Sequence, residues 1–387
     1  MTTPPAILPG ATIGFLGGGQ LGRMAAMAAR ALGYDVQVLD PDPACPARSV
    51  ASRTITAPYA DADAAAALAR ECAVVTLDIE QVAVPSIEAA AALAPVRPGA
   101  QVLHVVQDRV RQKEWLAALG FPLGPFGTAR TREQLQHELA RLTPAIVKRA
   151  QGGYDGRGQV RVRTHADVDA ALPLVDRIPV VVEQWLALAG ELSVMVARDP
   201  AGAVVTYPVA FNHHDHGVLT WSMTPAPVDP AIAARATEVA IAIAEALGVV
   251  GLLAVEFFLT ERGEVLVNEL APRPHNTFHT TERSAPTSQF EQQVRAVCGL
   301  PLGDTRLVVP GAIVNILGDV WPGGGGVPPW EAALDVPGVR LHLYGKAEAR
   351  PGRKMGHLSA TGPTATAARD TVLAAFRRLV PPGHSYA

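Results

Sequence analysis

Glu264-Val-Leu-Val-Asn-Glu-Leu-Ala-Pro-Arg-Pro-His-Asn276 reads as a strand that carries two polar residues, Asn268 and Glu269, through an apolar setting. It then runs into a proline-fixed loop bearing Arg273, His275 and Asn276. Just upstream, Gly251-Leu-Leu-Ala-Val-Glu-Phe-Phe-Leu-Thr260 is again apolar with one acid, Glu256. The Glu261-Arg-Gly-Glu264 stretch between them has turn composition, so the two runs form a β-hairpin. Pairing Thr260 with Val265 sets Glu256 opposite Glu269. Directly opposed side chains lie roughly 4.5–5.5 Å apart at Cβ, where like charges repel. Two readings follow: a half-exposed hairpin whose acids face water, or a pair of carboxylates that a divalent cation joins. Mg²⁺ suits the second, because it takes one or two carboxylates and completes its shell with substrate phosphates.

The composition frames this hairpin. The chain has 387 residues, 49% hydrophobic and 18% charged, which fits two or three packed domains rather than a disordered chain. A formal net charge of −3 predicts no nucleic-acid partner. Cys45, Cys72 and Cys298 are odd in number and lack metal spacing, which argues against a disulfide framework and fits a reducing cytoplasm. No apolar run approaches the ~18 residues of a membrane helix, and no basic segment leads into an apolar one at the N-terminus, so no membrane partner is expected.

Upstream, Thr12-Ile-Gly-Phe-Leu16 reads as a buried strand, Gly17-Gly-Gly-Gln-Leu-Gly22 as a tight loop, and 20–32 as a helix closed by Gly33. A strand at 36–40, a helix at 61–70, a strand at 73–77 and a helix at 85–93 follow. This order predicts a doubly wound, mostly parallel sheet ending near Pro98-Gly99. Helices are expected at 108–119 and 132–142, the latter capped by Thr131. Strands are expected at 145–148 and 180–186, an antiparallel series over 191–221, and a long helix at 230–247 ended by Gly248. After the hairpin come a helix at 288–297 and a strand at 311–317. The tail is too short for a large domain and is expected to fold onto the preceding sheet.

Several motifs carry chemistry. Gly17-x-Gly19-x-x-Gly22, followed by Asp40 at the end of the next strand, matches a dinucleotide fingerprint. Glycines and a helix N-terminus attract any phosphate, however, and Gln20 offers a base or ribose hydrogen bond, so a mononucleotide fits as well. Lys148 followed by Gly152-Gly-Tyr-Asp-Gly-Arg-Gly158 combines a point charge with a glycine-rich anion nest, against the alternative of a mobile surface hairpin. His213-His-Asp-His216 has turn composition, and its adjacent histidines point to opposite faces of a strand, which argues against zinc. The basic run from Lys346 to Met355 is either a solvated loop or a clamp for a phosphate group. No Ser/His/Asp or Cys/His constellation is evident.

With these pieces in order, the chain resembles the N5-carboxyaminoimidazole ribonucleotide synthetase family of ATP-grasp ligases over nearly its whole length. The likeness is carried by Gly17-Gly-Gly-Gln-Leu-Gly-Arg-Met24, Gln107-Asp-Arg109, residues 152–159, Glu183-Gln-Trp185, residues 267–276, Thr287-Ser-Gln-Phe-Glu-Gln292 and Arg353-Lys-Met-Gly-His357. It implies a fold of mixed α/β and α+β character: a Rossmann-like pre-ATP-grasp domain with a doubly wound parallel sheet over 1–100, a two-lobed ATP-grasp domain over 101–300 (small lobe about 110–186, large lobe about 187–300), and a small β-rich C-terminal domain over 301–387. It further implies a cytoplasmic homodimeric ligase of purine biosynthesis. Such an enzyme uses ATP and bicarbonate to carboxylate the amine of 5-aminoimidazole ribonucleotide through carboxyphosphate, releasing ADP and phosphate.

Carried onto this chain, the resemblance assigns ATP to Arg109, Lys148, Gly153, Tyr154, Asp155, Gly156, Arg157, Gly158, Gln159, Glu183, Gln184, Trp185, Leu186, Glu191, His214, Asn268 and Glu269. Mg²⁺ falls to Glu256 and Glu269. Gln20, Leu21, Glu80, Tyr154, Asp155, Arg157, Lys346 and Arg353 meet the ribonucleotide. Arg273, His275, Asn276 and Lys346 act on bicarbonate and the carboxyphosphate made from it. Two stretches depart from the family pattern. Leu77-Asp-Ile-Glu-Gln81 stands for Tyr-Glu-Phe-Glu-Asn, leaving either Asp78 or Glu80 to meet the ribose, and Thr277-Phe-His-Thr-Thr281 stands for Ser-Gly-His-Trp-Thr. Rival readings are the formate-using transformylase of the same pathway, whose loop carries Glu where Gln20 stands, an NAD-linked dehydrogenase, and a non-catalytic nucleotide-binding regulator.

Overall fold

The computed structural model describes residues 4–153, 158–322 and 326–380. Three sheets organise them. The first is parallel, with strands in the order Arg53–Thr56, Asp35–Asp40, Thr12–Leu16 and Val74–Leu77. The Thr12–Leu16 strand is buried along almost its whole length because helices cover both faces, which is why it reads as a continuous apolar run. The helix Gln20–Ala31 begins at Gly19 and is followed by Gly33, whose φ of 87° is the left-handed stop the sequence signals. Arg53–Thr56 was not expected: it is a short, polar edge strand without an apolar stripe to reveal it.

The second sheet is antiparallel, ordered Phe126–Ala129, Val180–Gln184, Ala145–Arg149, Gln159–Val162. Helices Arg132–Leu142 and Val168–Val175 seal one face with Leu135, Leu139 and Val175. Thr131 caps the first of these helices by accepting from the Gln134 N–H. The third sheet has nine strands. Its path runs from Val265–Ala271 through Gly251–Thr260, Leu188–Arg198, Ala210–Asp215, Val218–Thr224, Gly311–Leu317 and Lys354–Thr361 to Arg340–Leu343. Val204–Thr206 pairs with the side of Leu188–Arg198. The strands after residue 301 therefore continue the sheet before it, while helix Ala365–Arg377 packs on them in a separate apolar cluster with Val314, Leu358 and Phe376.

The hairpin forms with one correction. Leu259, not Thr260, opposes Val265, so the turn is one residue longer than the sequence suggests. A bulge at Asn268 then restores the register, and Glu256 does oppose Glu269. A bulge re-aims the residue it inserts, and here that residue is Asn268, a polar group beside the two acids. Among the described residues no helix is long and apolar enough to cross a membrane.

Candidate active site

One cavity of about 1330 Å³ lies where the three sheets converge. Every described residue that the sequence singled out for the site lines it, from Gln20 and Leu21 at one end to Lys346 and Arg353 at the other. Tyr154, Asp155, Gly156 and Arg157 lie outside the described residues.

The Gly17–Gly22 loop reaches the cavity through Gly19, Gln20 and Leu21, but two of its amides are already committed. Gly18 N–H donates to Asp40 Oδ2 at 2.7 Å, and Gly22 N–H donates to Asp78 Oδ2 at 3.0 Å. The Tyr59 hydroxyl holds the same Asp40 oxygen at 2.8 Å. Asp40 is thus a buried brace of the loop, not an acid waiting for a ribose, which removes the support for a dinucleotide. Asp78 is packed so closely under the loop that a Cβ on Gly17 would lie 1.7 Å from its Oδ1. Burial pushes its carboxyl up to about 7 against the pull of the Gly22 N–H. Both acids left open by the sequence line the cavity: Asp78 also braces the loop, and Glu80 Oε1 pairs with Arg273 Nε at 2.8 Å. Gln107 fixes that segment by donating to the carbonyls of Glu80 and Val82.

At the other end, Lys148 projects from the strand Ala145–Arg149, and its ammonium meets Glu183 Oε2 at 2.5 Å. The second oxygen of Glu183 is held by Lys113 at 3.2 Å, and Lys113 Nζ also donates to the Val267 carbonyl at 3.2 Å. Lys113 is 5% exposed. Burial pushes the Glu183 carboxyl upward, yet the two lysines outweigh it and bring it down to about 2. The Glu183 side chain therefore faces the lysines, and the exposed edge of its strand exit is offered by Trp185, on whose ring Arg161 stacks. The sequence reading missed Lys113. It stands three residues from buried Val110 and three from buried Leu116 on the helix Arg109–Ala118, so helical periodicity already places it on the apolar face.

The acidic hairpin is not left to its own repulsion, as the sequence alone suggests. Glu256 Oε1 pairs with His275 Nε2 at 3.0 Å, and Glu269 Oε2 lies 3.6 Å from Arg109 Nη2. Burial pushes the Glu256 carboxyl up, but His275, His214 and Lys354 outweigh it and hold it below its ordinary value. His214 Nδ1 lies 3.1 Å from Glu191, which raises the imidazole against the opposing effect of burial. His213 instead stacks on Trp221 and His216 turns out beside Asp215; contrary to the expected turn, His213 to Asp215 belong to the strand Ala210–Asp215.

Arg109 also donates to the Gly153 carbonyl at 2.9 Å and so ties the glycine-rich stretch to the hairpin. At the acceptor end, Asn276 is buried, with its Oδ1 3.1 Å from His279 Nε2. Lys346 donates to the Lys354 carbonyl at 2.7 Å, and Arg353 to the Glu348 carbonyl at 2.9 Å. Lys354 and Arg350 line the cavity too and were not singled out, because the sequence gives no reason to prefer one cation over another in a run so basic.

Two carboxylates face each other beside an amide, and Arg109, Lys148, Arg161, Arg273, Lys346, Arg350, Arg353 and Lys354 are distributed along the same cavity. This donor set suits a polyphosphate with a hard divalent cation at one end and a second anionic ligand at the other.

Comparison with known proteins places these features in a family. Residues 10–107 match a ribonucleotide synthetase preATP-grasp domain, 114–290 an ATP-grasp domain, and 311–371 a phosphoribosylaminoimidazole carboxylase C-terminal domain. The N5-carboxyaminoimidazole ribonucleotide synthase of Bacillus subtilis is 41% identical over 355 residues, covering 91% of this chain and 92% of that protein. Among solved structures, the ADP complex of an N5-carboxyaminoimidazole ribonucleotide synthetase superposes with a TM-score of 0.90 at 39% identity, covering 96% of this chain and 97% of the other. The Aspergillus clavatus enzyme, solved with ADP and 5-aminoimidazole ribonucleotide, gives 0.87 at 31% identity, covering 95% and 98%.

Proposed function

The chain belongs to the N5-carboxyaminoimidazole ribonucleotide synthase family, and from that premise we infer that it is an ATP-grasp ligase of purine biosynthesis. It carboxylates 5-aminoimidazole ribonucleotide with ATP and bicarbonate, releasing ADP and phosphate. The observation that carries the reading is the single cavity joining the Lys148–Glu183 strands, the Glu256–Glu269 hairpin and the Gln20 loop. ATP lies along the first two, and the ribonucleotide between Gln20, Leu21, Glu80 and the Lys346–Arg353 loop.

A bicarbonate oxygen attacks the γ-phosphorus, the bond to the β-phosphate oxygen breaks, and ADP leaves. Lys148, Arg109 and His214 face the charge that spreads over the transferring group. Glu256 and Glu269, with Asn268 beside them, fit Mg²⁺: the two carboxylates are opposed and line the same cavity as the phosphate-facing cations. The cation when bound would supply charge neutralisation at the phosphate oxygens. His275 and Arg109, which hold the two acids in this structure, would then be free to face bicarbonate and phosphate. The amine of the ribonucleotide attacks the carboxyl carbon of carboxyphosphate, expels phosphate and loses a proton, while Arg273 and Asn276 hold the carboxyl group. Carboxyphosphate is labile in water, so its lifetime depends on a site that excludes water.

The domain limits near 100 and 300, the homodimer and the cytoplasmic setting belong to the same reading; sedimentation velocity checks the assembly. The decisive test is ADP release in the presence of the aminoimidazole ribonucleotide and bicarbonate. Turnover that requires both supports the assignment. Turnover with formate in place of bicarbonate assigns the chain to the transformylase reaction instead, and absence of substrate-dependent ADP refutes the reading.

A further inference from the structure

A second group of metal-ligating side chains lies outside the large cavity, where the last strands of the nine-stranded sheet meet the helix Gln20–Ala31. His342 and His357 are paired across the strands Arg340–Leu343 and Lys354–Thr361, with rings 5.1 Å apart and 16° from parallel. Glu282, on the short helix Thr281–Ser284, brings a carboxylate to the same place, and one ligand atom from each of the three lies within 4.8 Å of the other two. We propose that Glu282, His342 and His357 form a binding site for a divalent transition-metal ion of the zinc class.

Three observations carry this. His342 Nε2 is buried with no hydrogen-bond partner, an arrangement that needs a reason in a folded protein. The Tyr344 hydroxyl lies 3.0 Å from His357 Nδ1; with Nδ1–H donating to that oxygen, the Nε2 lone pair is the ligand and the hydroxyl is the outer contact that orients the imidazole. The Glu282 carboxylate, on the exposed side of the group, makes no ion pair among the described residues and is free to turn toward the two imidazoles. Burial meanwhile holds both imidazoles below their ordinary values, in the neutral form that binds metals. Two cations face the group. Arg23 sits near His342 and donates to the Leu343 carbonyl at 3.3 Å, and Arg340 sits near Glu282; neither pairs with the acid. The Glu282 side opens to a smaller cavity lined by Met24, Met27 and Phe290, which gives an entry path and room for a water ligand.

Two imidazoles and a carboxylate form a donor set that zinc accepts. The bound ion ties together three segments that reach the large cavity, since Glu282 follows Asn276, His342 precedes Lys346, and His357 follows Arg353 closely in sequence. It acts as a structural clasp on the acceptor end.

The test uses the full chain, stripped of divalent ions, with Co²⁺ as a visible-absorbance probe and Zn²⁺ in thermal melts. The expected result is a saturable d–d band at one equivalent, a rise in Tm with Zn²⁺, and at least tenfold weaker binding in E282Q and in H342Q. E256Q retains the band, which separates this site from the hairpin acids. H342Q alters a half-buried side chain, and circular dichroism checks that it folds. A wild-type chain with neither a saturable Co²⁺ band nor a zinc-dependent Tm overturns the proposal. So does persistence of both signals in E282Q and H342Q.

Discussion

Lys113→Met is the most incisive perturbation of the nucleotide end. The drop in Glu183 from its ordinary 4.5 to about 2 corresponds to ~3 kcal/mol in favour of the ionised form, net of burial. Lys113 and Lys148 share that effect, each through its charge and a hydrogen bond. Removing Lys113 leaves a buried carboxylate with one partner, at a loss of roughly 2 kcal/mol, and adds an unsatisfied Val267 carbonyl worth about 1 kcal/mol. Urea unfolding is therefore expected to show a loss of ~3 kcal/mol. The functional consequence is separate. In the native chain Glu183 stays neutralised by Lys113 when Lys148 turns to a phosphate; in the variant Lys148 is its sole partner and is held back. A hold of ~1.4 kcal/mol raises KM for ATP about tenfold with a smaller change in kcat. Adding Glu183→Gln removes the charge that needed neutralising, so the double variant recovers stability relative to K113M alone, a coupling that a merely bulky defect does not show. If K113M unfolds within about 0.5 kcal/mol of the native chain, or the double variant is no more stable than the sum of the single losses, the argument is wrong.

Glu256→Gln removes one of the two opposed carboxylates, and substrate-dependent ADP release is expected to fall at least ~100-fold while the fold is kept, as measured by coupled assay and circular dichroism. Gly17→Ala places a Cβ against Asp78 at a φ of 105° and is expected to lose roughly 3–5 kcal/mol, read as a lowered Tm. Asp78→Asn tests the loop brace by pH. The folded state holds a proton on Asp78 up to about 7, whereas the unfolded chain releases it near 3.8, so this group makes the native chain more stable as pH falls. From pH 8 to pH 5 the native chain gains ~3 kcal/mol relative to D78N, and parallel urea curves at the two pH values sink the idea.

How much of this was legible in the sequence depends on the range of the interaction. Periodicity, turn composition and capping are local, and they gave the hairpin and the longer helices before residue 300, while Ala100–Val106, Val168–Val175 and Ala365–Arg377 were not anticipated. The register of the hairpin was reached through two departures that offset each other: the turn is one residue longer than its composition suggests, and the Asn268 bulge takes the residue back. Nothing local announces that bulge, because Asn268 reads equally as one polar residue in an alternating strand. The Asp40 offset after the glycine loop matched a ribose acid by spacing alone. The competing donors, Gly18 N–H and the Tyr59 hydroxyl, are supplied by tertiary contact, so spacing could not show that the carboxylate was already taken. The Arg53–Thr56 and Arg340–Leu343 edge strands escaped for a similar reason: their pairing is set by neighbours rather than by an apolar stripe.

The partners of the acids are the least legible feature, and they explain how the cavity tolerates so much charge. Glu183 is shared by Lys113 and Lys148, Glu269 faces Arg109, Glu256 holds His275, Glu191 meets His214 and Glu80 binds Arg273. Each pair joins elements distant in sequence or a strand to the loop beyond it, the last spanning from the first sheet to the loop after the hairpin, and each keeps a buried or half-buried charge from standing alone. On the function proposed above, such a cavity would accept a polyphosphate and a cation by exchange. Lysine and arginine would pass from carboxylate to phosphate while the carboxylates pass to the cation, so the number of paired charges would be conserved and neither ligand would enter a bare electrostatic field. The opposed acids are then less a source of repulsion waiting for a metal than half of a pre-formed set of ion pairs that either ligand alone would leave incomplete.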